Sequence, residues 1–380
     1  MVVAFLPVIA PPAVAPVAAN LLASAIIPDT TEGHWEGGIA YRSELCPQTD
    51  VFGLCSVPSA VPPASADGVV YAGSVGYRVY DECPTLDVFL DSGRVSRLSA
   101  AAASFAVAQE LWTGTGAREN PFDTPVESGV VNPYLMAPTA EQITVTPDDP
   151  MHALGLLEEK ARQRTNGMDV FLHVPLRYIT QLGAQLVKVG NEIRTLTGAR
   201  VIGDAGYTGA GPYAGGTAEV QTVTVTGVPT GGTFTLTYAG QTTAPIPFNA
   251  TAAQLQAALE NLPNLNPGDI VVTGTAPYQV TFTSELGNVG QMTASGAGLT
   301  GGTTPGVTVA TTTPGAAQTP AAGVWGYATG PVAVRLGPVV PMVDQSYALD
   351  RTTNRMHFWA DRAFEVTFDP CCHFAAQMGT

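Results

Sequence analysis

Cys371-Cys372-His373 combine the residue types of a thiol nucleophile or a metal site. Sulfur and imidazole at short spacing can hold zinc, but adjacent residues of a strand point to opposite faces and no further ligands stand at a recognisable spacing. A structural role is the reading taken. Asp148, Asp149 and His152 offer a hard-cation set, yet a helix cap with first-turn acidity accounts for both aspartates. The turn Gly203-Asp-Ala-Gly-Tyr-Thr-Gly209 is glycine-rich like a phosphate cradle, but no Lys-Ser/Thr follows and the next segment does not read as a helix. His34, His173 and His357 lie far apart, with no Ser or Cys in a nucleophile-elbow context. The expectation is therefore a protein with no catalytic, cofactor or metal site, and not an enzyme.

Bulk composition narrows the partners. With 45% hydrophobic and 12% charged residues over 380 positions the chain is a folded one, long enough for more than one core. A formal charge of −15, with Lys160 and Lys188 the only lysines, argues against a face built to neutralise phosphates. Five cysteines do not make a secreted disulfide framework. Cys46 and Cys55 could pair, or Cys83 with either, while Cys371 and Cys372 are read as neighbours in a terminal strand. Buried free thiols of a cytosolic product are expected, with disulfides between subunits as the alternative. The start, Met1 to Ala10, is apolar but lacks a basic region, and Pro7, Pro11, Pro12 and Pro16 break any helix. It reads as an extended arm that lies on something else.

The elements that would position these groups are legible in part. Residues 31–90 alternate short β-like runs with Pro and Gly clusters. A long helix follows from a cap at Asp91 or Ser92, with Leu98, Ala101, Ala102, Phe105, Ala108 and Trp112 as its stripe and Gly114 as its stop. A second helix begins at Asp149-Pro150, buries Met151, Leu154 and Leu157, and ends at Asn166-Gly167. Met168 to Val174 reads as a buried strand, Pro175 opens a helix carrying Ile179, Leu182 and Leu186, and strands at 192–196 and 199–203 follow. In the last 31 residues Met356 to Ala360 and Phe364 to Phe368 read as two strands bracketed by Arg355, Asp361 and Arg362. The class is α+β with helices around a central sheet.

Residues 218–316 differ from everything around them, because Thr, Gly, Val and Ala dominate and no Lys, Arg or His occurs. Val223 and Val225, then Phe234, Leu236 and Tyr238, then Tyr278, Val280 and Phe282 alternate with polar residues as half-buried strands do. Thr251-Ala-Ala-Gln254 forms a capping box ahead of Leu255, Ala258, Leu259 and Leu262. The order β-β-α-β-β-β predicts a small sheet with one helix across it, spliced into a host whose strands resume at Val324.

The host resembles the Hong Kong 97 major capsid fold of tailed-phage capsid proteins and encapsulins. The resemblance rests on the Pro-rich arm, the long β excursion, the helix ending Ala108-Gln-Glu-Leu-Trp-Thr-Gly114, Gly326-Tyr-Ala-Thr-Gly-Pro-Val-Ala-Val-Arg-Leu336 and Arg355-Met-His-Phe-Trp-Ala-Asp-Arg-Ala-Phe-Glu-Val366. It implies an N-terminal arm (1–30), an extended loop (31–90), a peripheral domain (91–149 and 346–380) and an axial domain (150–217 and 317–345). Residues 218–316 would then be an inserted β-rich surface domain, similar to a module recurring in actinobacteriophage virion proteins. The function implied is a major capsid protein that assembles as hexamers and pentamers into an icosahedral head enclosing double-stranded DNA, without sequence-specific binding. Its location would be the virion, after assembly in the host cytoplasm, and its other partners a separate scaffolding protein, portal and decoration proteins. A tail or decoration protein whose inserted domain binds host glycans is the alternative. Phe5, Leu6, Val8, Ile9, Arg42, Arg78 and Arg94 are the candidates for contacts between subunits. Crosslinking through an extended-loop lysine is not expected, since no lysine precedes Lys160.

Overall fold

A computed structural model of the chain describes residues 20–28, 35, 38–42, 69–84, 93–119, 132–145, 149–265, 268–283, 286–343 and 355–380. Its centre is a mixed seven-stranded sheet. The strand order is Glu141–Ile143, His373–Gly379, Val324–Thr329, Phe171–Pro175, Arg200–Asp204, Glu192–Thr195 and Leu186–Val189. The first pair and the Phe171/Arg200 pair are parallel, and the others are antiparallel. All five residues of Phe171–Pro175 are buried, because both faces of the sheet are covered and a strand so placed can be apolar throughout. Leu172, Val174, Val201, Phe374 and Ala376 pack in one apolar cluster with Leu154 and Leu157 of the helix Pro150–Arg164. Phe171, Ile202, Trp325, Tyr327 and Ala375 pack in another with Val107, Leu111 and Trp112 of the helix Arg94–Thr113.

The caps of the Pro150–Arg164 helix are those the sequence calls for. Asp149 accepts from the His152 amide, and Asn166 and Gly167 leave the helix at positive φ. The helix after Pro175 is shorter than expected. It spans Leu176–Gln181, a tight turn at Gly183–Gln185 follows, and Leu186 already belongs to a strand.

The long helix Arg94–Thr113 also corrects a reading. Its buried residues are Val95, Ser99, Ala103, Ser104, Val107, Ala108, Glu110, Leu111 and Trp112, whereas Phe105 is 50% exposed and Leu98, Ala101 and Ala102 are half-buried. Small residues on this face let backbone approach closely: a side chain at Gly206 would meet the Phe105 carbonyl at 2.5 Å. Gly114 ends the helix at φ +62.

Against that helix lies a three-stranded antiparallel ribbon, Ala333–Val343, Arg355–Thr367 and Val75–Pro84 in that order. The two C-terminal strands expected at 356–360 and 364–368 are one continuous strand of 13 residues. Asp361 and Arg362 sit inside it because both find partners there: Asp361 takes Arg78 across the ribbon, and Arg362 donates to the Gly337 carbonyl. A short hairpin, Ile39–Arg42 with Val69–Ala72, lies over one end of the ribbon, where the Tyr41 hydroxyl meets Thr367 at 3.0 Å.

The threonine-rich stretch has its own core. Val223, Phe234, Leu236, Leu255, Leu259, Ile270, Tyr278, Val280 and Phe282 cluster together, and every member of that cluster lies between Val223 and Val309. The capping box at Thr251 and Gln254 is formed as read, ahead of the helix Ala252–Glu260. Two sheets replace the single one expected. One is four-stranded, ordered Ile270–Gly274, Tyr278–Phe282, Val220–Thr226 and Gly306–Thr313, and the other gathers short strands around Gly231–Tyr238. The stretch meets the rest of the chain through a paired neck. Tyr213–Ala214 pairs with Thr319–Pro320, and Thr217 and Ala316 exchange both backbone hydrogen bonds at 3.0 Å.

Just inside the neck, Glu219 is 1% exposed. Its carboxylate accepts from Gln221, Thr311 and the Val289 amide, and Gln221 in turn accepts from the Met292 amide. This pins the loop 286–292 to the first strand. Glu219→Ala is expected to cost the stretch roughly 3 kcal/mol, since three donors lose their shared acceptor. Urea unfolding followed by hydrogen exchange of the Val289 and Met292 amides tests this, and unchanged protection at both would refute it.

Candidate assembly surface

Two buried polar centres hold the layers of the host together. Asp204, at the end of its strand and 4% exposed, accepts from the Leu21 amide (3.1 Å), the Ser104 hydroxyl (2.9 Å) and the Gly206 amide (3.0 Å). One carboxylate thus ties the short N-terminal helix Leu21–Ser24, the long helix and the Gly203–Gly209 turn. In the turn that resembled a phosphate cradle the Gly206 amide bonds the Asp204 carboxylate and the Tyr207 amide the Asp204 carbonyl, while Gly203 packs against Ile179 and Gly206 against the long helix.

The second centre is imidazole. His173 is fully buried, with Nδ1 2.8 Å from the Tyr207 hydroxyl and Nε2 2.9 Å from Thr329 Oγ1. Thr329 donates its own proton to the Gly330 carbonyl, so it accepts from Nε2–H, and Nδ1 is left to accept from Tyr207. Burial, with the adjacent His373 adding to it, pushes His173 down to about 3. Burial likewise pushes His373 down to about 4, although its Nε2 donates to the Leu135 carbonyl at 3.0 Å. Both rings are neutral and enclosed by Phe171, Tyr327 and Phe368. This arrangement packs and orients, and it offers no open face for a substrate. The sequence did not single out His373 as a partner of His173, since the two meet only through the pairing of their strands with Val324–Thr329.

The cysteine readings need correction. Cys371 and Cys372 lie in the turn before the last strand, not in a strand, and Cys371 is disulfide-bonded, not a free thiol. Cys372 is free and buried, and burial raises its thiol to about 12. Cys46 and Cys55 fall outside the described residues. Among the described residues no three His, Cys, Asp or Glu side chains are placed to hold a metal ion, and no helix is long and apolar enough to cross a membrane.

Of the three candidate contact arginines, Arg78 lies in the ribbon. Arg78 forms a two-pronged ion pair with Asp361, 2.6 Å at Nη2, and holds that carboxyl below its usual range. Its guanidinium lies 5.9 Å from the centre of the Tyr80 ring and 5.5 Å from that of Trp359. Arg94, in the first turn of the long helix, pairs with Asp81 at 3.2 Å. Arg42 stands in the covering hairpin opposite Val69. Phe5, Leu6, Val8 and Ile9 lie outside the described residues. Arg78 and Arg94 therefore have acidic partners within the chain, and the structure brings Arg78, but not the four arm residues, into a defined surface.

The architecture defines an α+β protein with a long helix and a ribbon over one face of a mixed sheet, and a separately cored, threonine-rich stretch on a paired neck. No protein-family model matches the chain. The tail sheath protein of Mycobacterium phage Bxz1 is 42% identical over 101 residues, which is 26% of this chain, and the match spans 17% of that protein's length. Among solved structures, the capsid of a native GTA particle computed with C5 symmetry aligns over 99% of this chain and 96% of its own at 7% identity and TM-score 0.39. A chain from Mycobacterium phage Ogopogo aligns over 95% and 92% at 10% identity and TM-score 0.37.

Proposed function

We propose that the chain is a virion structural protein of a tailed phage with the Hong Kong 97 fold, and that many copies form the shell around the DNA. The observation that carries this reading is the arrangement of the host elements. A 20-residue helix lies against a ribbon of long strands, a hairpin from the preceding excursion lies over that ribbon, and an apolar, proline-rich segment leads into the fold. Such parts offer extended surface for contacts between copies. In this reading 1–30 is the arm, 31–90 the extended loop, 91–149 and 346–380 the peripheral domain, and 150–217 and 317–345 the axial domain. Residues 218–316 are an insertion displayed on the outside, and Phe5, Leu6, Val8, Ile9, Arg42, Arg78 and Arg94 contribute to contacts between copies.

The 101-residue likeness to a tail sheath protein favours a second reading, in which the chain belongs to the tail. The length of that likeness is close to that of 218–316, and we assign it to the insertion, a module that different virion proteins can share. Negative-stain electron microscopy of the intact chain and of a chain in which a short Gly/Ser linker replaces 218–316 separates the two. Closed shells or six-fold rings from both are expected. Tubes or sheath-like rings would favour the tail, and an insoluble truncated chain beside an assembling intact one would show the stretch to be integral.

A further inference from the structure

Three side chains meet where the first strand of the threonine-rich stretch, Val220–Thr226, lies beside its last, Gly306–Thr313. Gln221 stands directly opposite Thr311, and side chains so paired share a face with their Cβ atoms about 5 Å apart. The register slips between Val220 and Gln221, an irregularity of the kind that re-aims side chains, and Glu219 joins the same cluster. One carboxylate oxygen, Glu219 Oε1, accepts both from the Thr311 hydroxyl at 3.2 Å and from the Gln221 amide nitrogen at 2.7 Å. Hydroxyl and amide are therefore no further apart than those two bonds laid end to end. The amide oxygen is held as well, since the Met292 N–H donates to Gln221 Oε1 at 2.8 Å. Gln221 is 0% exposed and Glu219 1%, so bulk water is kept from the amide carbon.

We propose that Thr311 and Gln221 join in an ester bond within the chain, with Glu219 moving the proton. A hydroxyl becomes a nucleophile when a base stands beside it, and an amide yields when its carbonyl is polarised and its nitrogen is given a proton on leaving. Thr311 Oγ1 bonds to Gln221 Cδ while its proton passes to Glu219 Oε1. The charge that develops on Gln221 Oε1 meets the Met292 N–H, and the C–N bond then breaks as Glu219 returns the proton to Nε2. One hydroxyl and one amide become one ester and one ammonia, with no oxidant or other reactant. Alcohols and amides do not exchange in this way in dilute solution, but groups held together act at effective concentrations of about 10⁵ M or more, and the ammonia departs. Gln291 is the competing acyl donor, its Oε1 3.5 Å from the Thr311 hydroxyl. It is exposed, and its nitrogen donates to the Val309 carbonyl at 2.8 Å, so it has neither the dry setting nor the shared carboxylate. The bond ties the first strand of the stretch to its last just inside the neck, and the proposal holds whether the chain builds a shell or a tail.

Mass spectrometry of the purified full chain tests it. The intact mass should fall below that of the sequence by one ammonia, about 17 Da. Cleavage after glutamate places Gln221 and Thr311 in separate peptides, one beginning at Val220 and one at Leu286. They should be recovered as a single branched product that hydroxylamine splits at the ester. Thr311→Val keeps the shape and removes the nucleophile, and Glu219→Gln removes the base; each should lower the branched fraction about a hundredfold, while Thr311→Ser should retain it. Hydrogen-exchange protection of the Val289 and Met292 amides in Thr311→Val shows that the stretch is still folded there, so that loss of the bond is chemical. Separate peptides at full sequence mass from the parent chain overturn the inference, as does a bond through Gln291 or a branched product that survives Glu219→Gln.

Discussion

Replacing Asp204 by alanine should lower the stability of the host by roughly 4 kcal/mol, a large part of what a domain has to lose. Three donors converge on that one carboxylate, two of them from elements distant in sequence, and all three bonds are buried. Alanine leaves the Ser104 hydroxyl and the Leu21 and Gly206 amides unpaired and opens a small cavity beside them. Asparagine keeps one acceptor oxygen and turns an NH2 toward a donor, so Asp204→Asn should cost about half as much. The local signature matters more than the total. Leu21–Ser24 should come away first, seen as loss of hydrogen-exchange protection at the Ala25 amide, which now bonds to the Leu21 carbonyl at 2.8 Å. A urea midpoint within 0.2 M of the parent, with that protection retained, would refute the role given to Asp204.

Acidification is the second large effect. His173 and His373 titrate in the folded chain at about 3 and about 4, below the 6.5 of an exposed imidazole. The folded state therefore binds fewer protons than the unfolded one, and the contribution of these rings is complete above pH 6.5 and lost as pH falls toward 4 and 3. At about 1.4 kcal/mol per unit, the two forgo on the order of 5 kcal/mol between pH 6.5 and 4. Glu365 works in the opposite sense. Burial raises it to about 7 against the pull of Arg335, 2.9 Å away, and among the described residues its second carboxylate oxygen has no hydrogen-bond partner. Its contribution is complete below pH 4.5 and is lost as the pH rises through 7, by roughly 3 kcal/mol. Between pH 6.5 and 4.5 two rings lose and one carboxyl gains, so the net loss on acidification should be about 1.4 kcal/mol per pH unit, flattening as the pH falls through 4 and 3. Proton NMR of the imidazole Cε1–H groups in the dissociated protein gives the direct reading: both signals should stay fixed from pH 8 to 5. Midpoints between 6 and 7 in the folded protein would show that these rings are not sealed in.

How much of this was legible in the residues varies with how local the cause is. Asp149-Pro150, Asn166-Gly167, Gly114 and the Thr251/Gln254 box place helix ends correctly because each acts over three or four residues. The buried face of the long helix was misjudged because Ser99 to Ala103 is nearly uniform in size and polarity, and Phe105 drew the stripe toward itself. What decides the face is the approach of Gly206, one hundred residues away in sequence. Asp361 and Arg362 read as the ends of strands since charges usually are. Here their partners, Arg78 and the Gly337 carbonyl, lie in the flanking strands, which local pattern does not reveal. The order of the seven-stranded sheet, with the last strand beside Glu141–Ile143, was likewise beyond periodicity. Of the candidate contact residues only Arg78 and Arg94 acquire a described side-chain setting, and the approach of His173 to His373 had no sequence signal at all.

The paired neck between Thr217 and Ala316 bears on the order in which the chain acquires its shape. In an unfolded chain, bringing together two points about 100 residues apart costs roughly 4 kcal/mol of loop entropy, charged to whichever structure first joins them. A stretch with its own core and adjacent ends meets that charge internally. Once it has formed, Ala214 and Thr319 are already neighbours, and the host meets the two halves of its central sheet as if they were joined by a short turn. During synthesis the threonine-rich stretch is complete before Val324–Thr329 and His373–Gly379 emerge, so it can serve as a clamp that readies the earlier strands for the later ones. A large loop that would otherwise slow the host becomes, in this order of events, the piece that shortens its search.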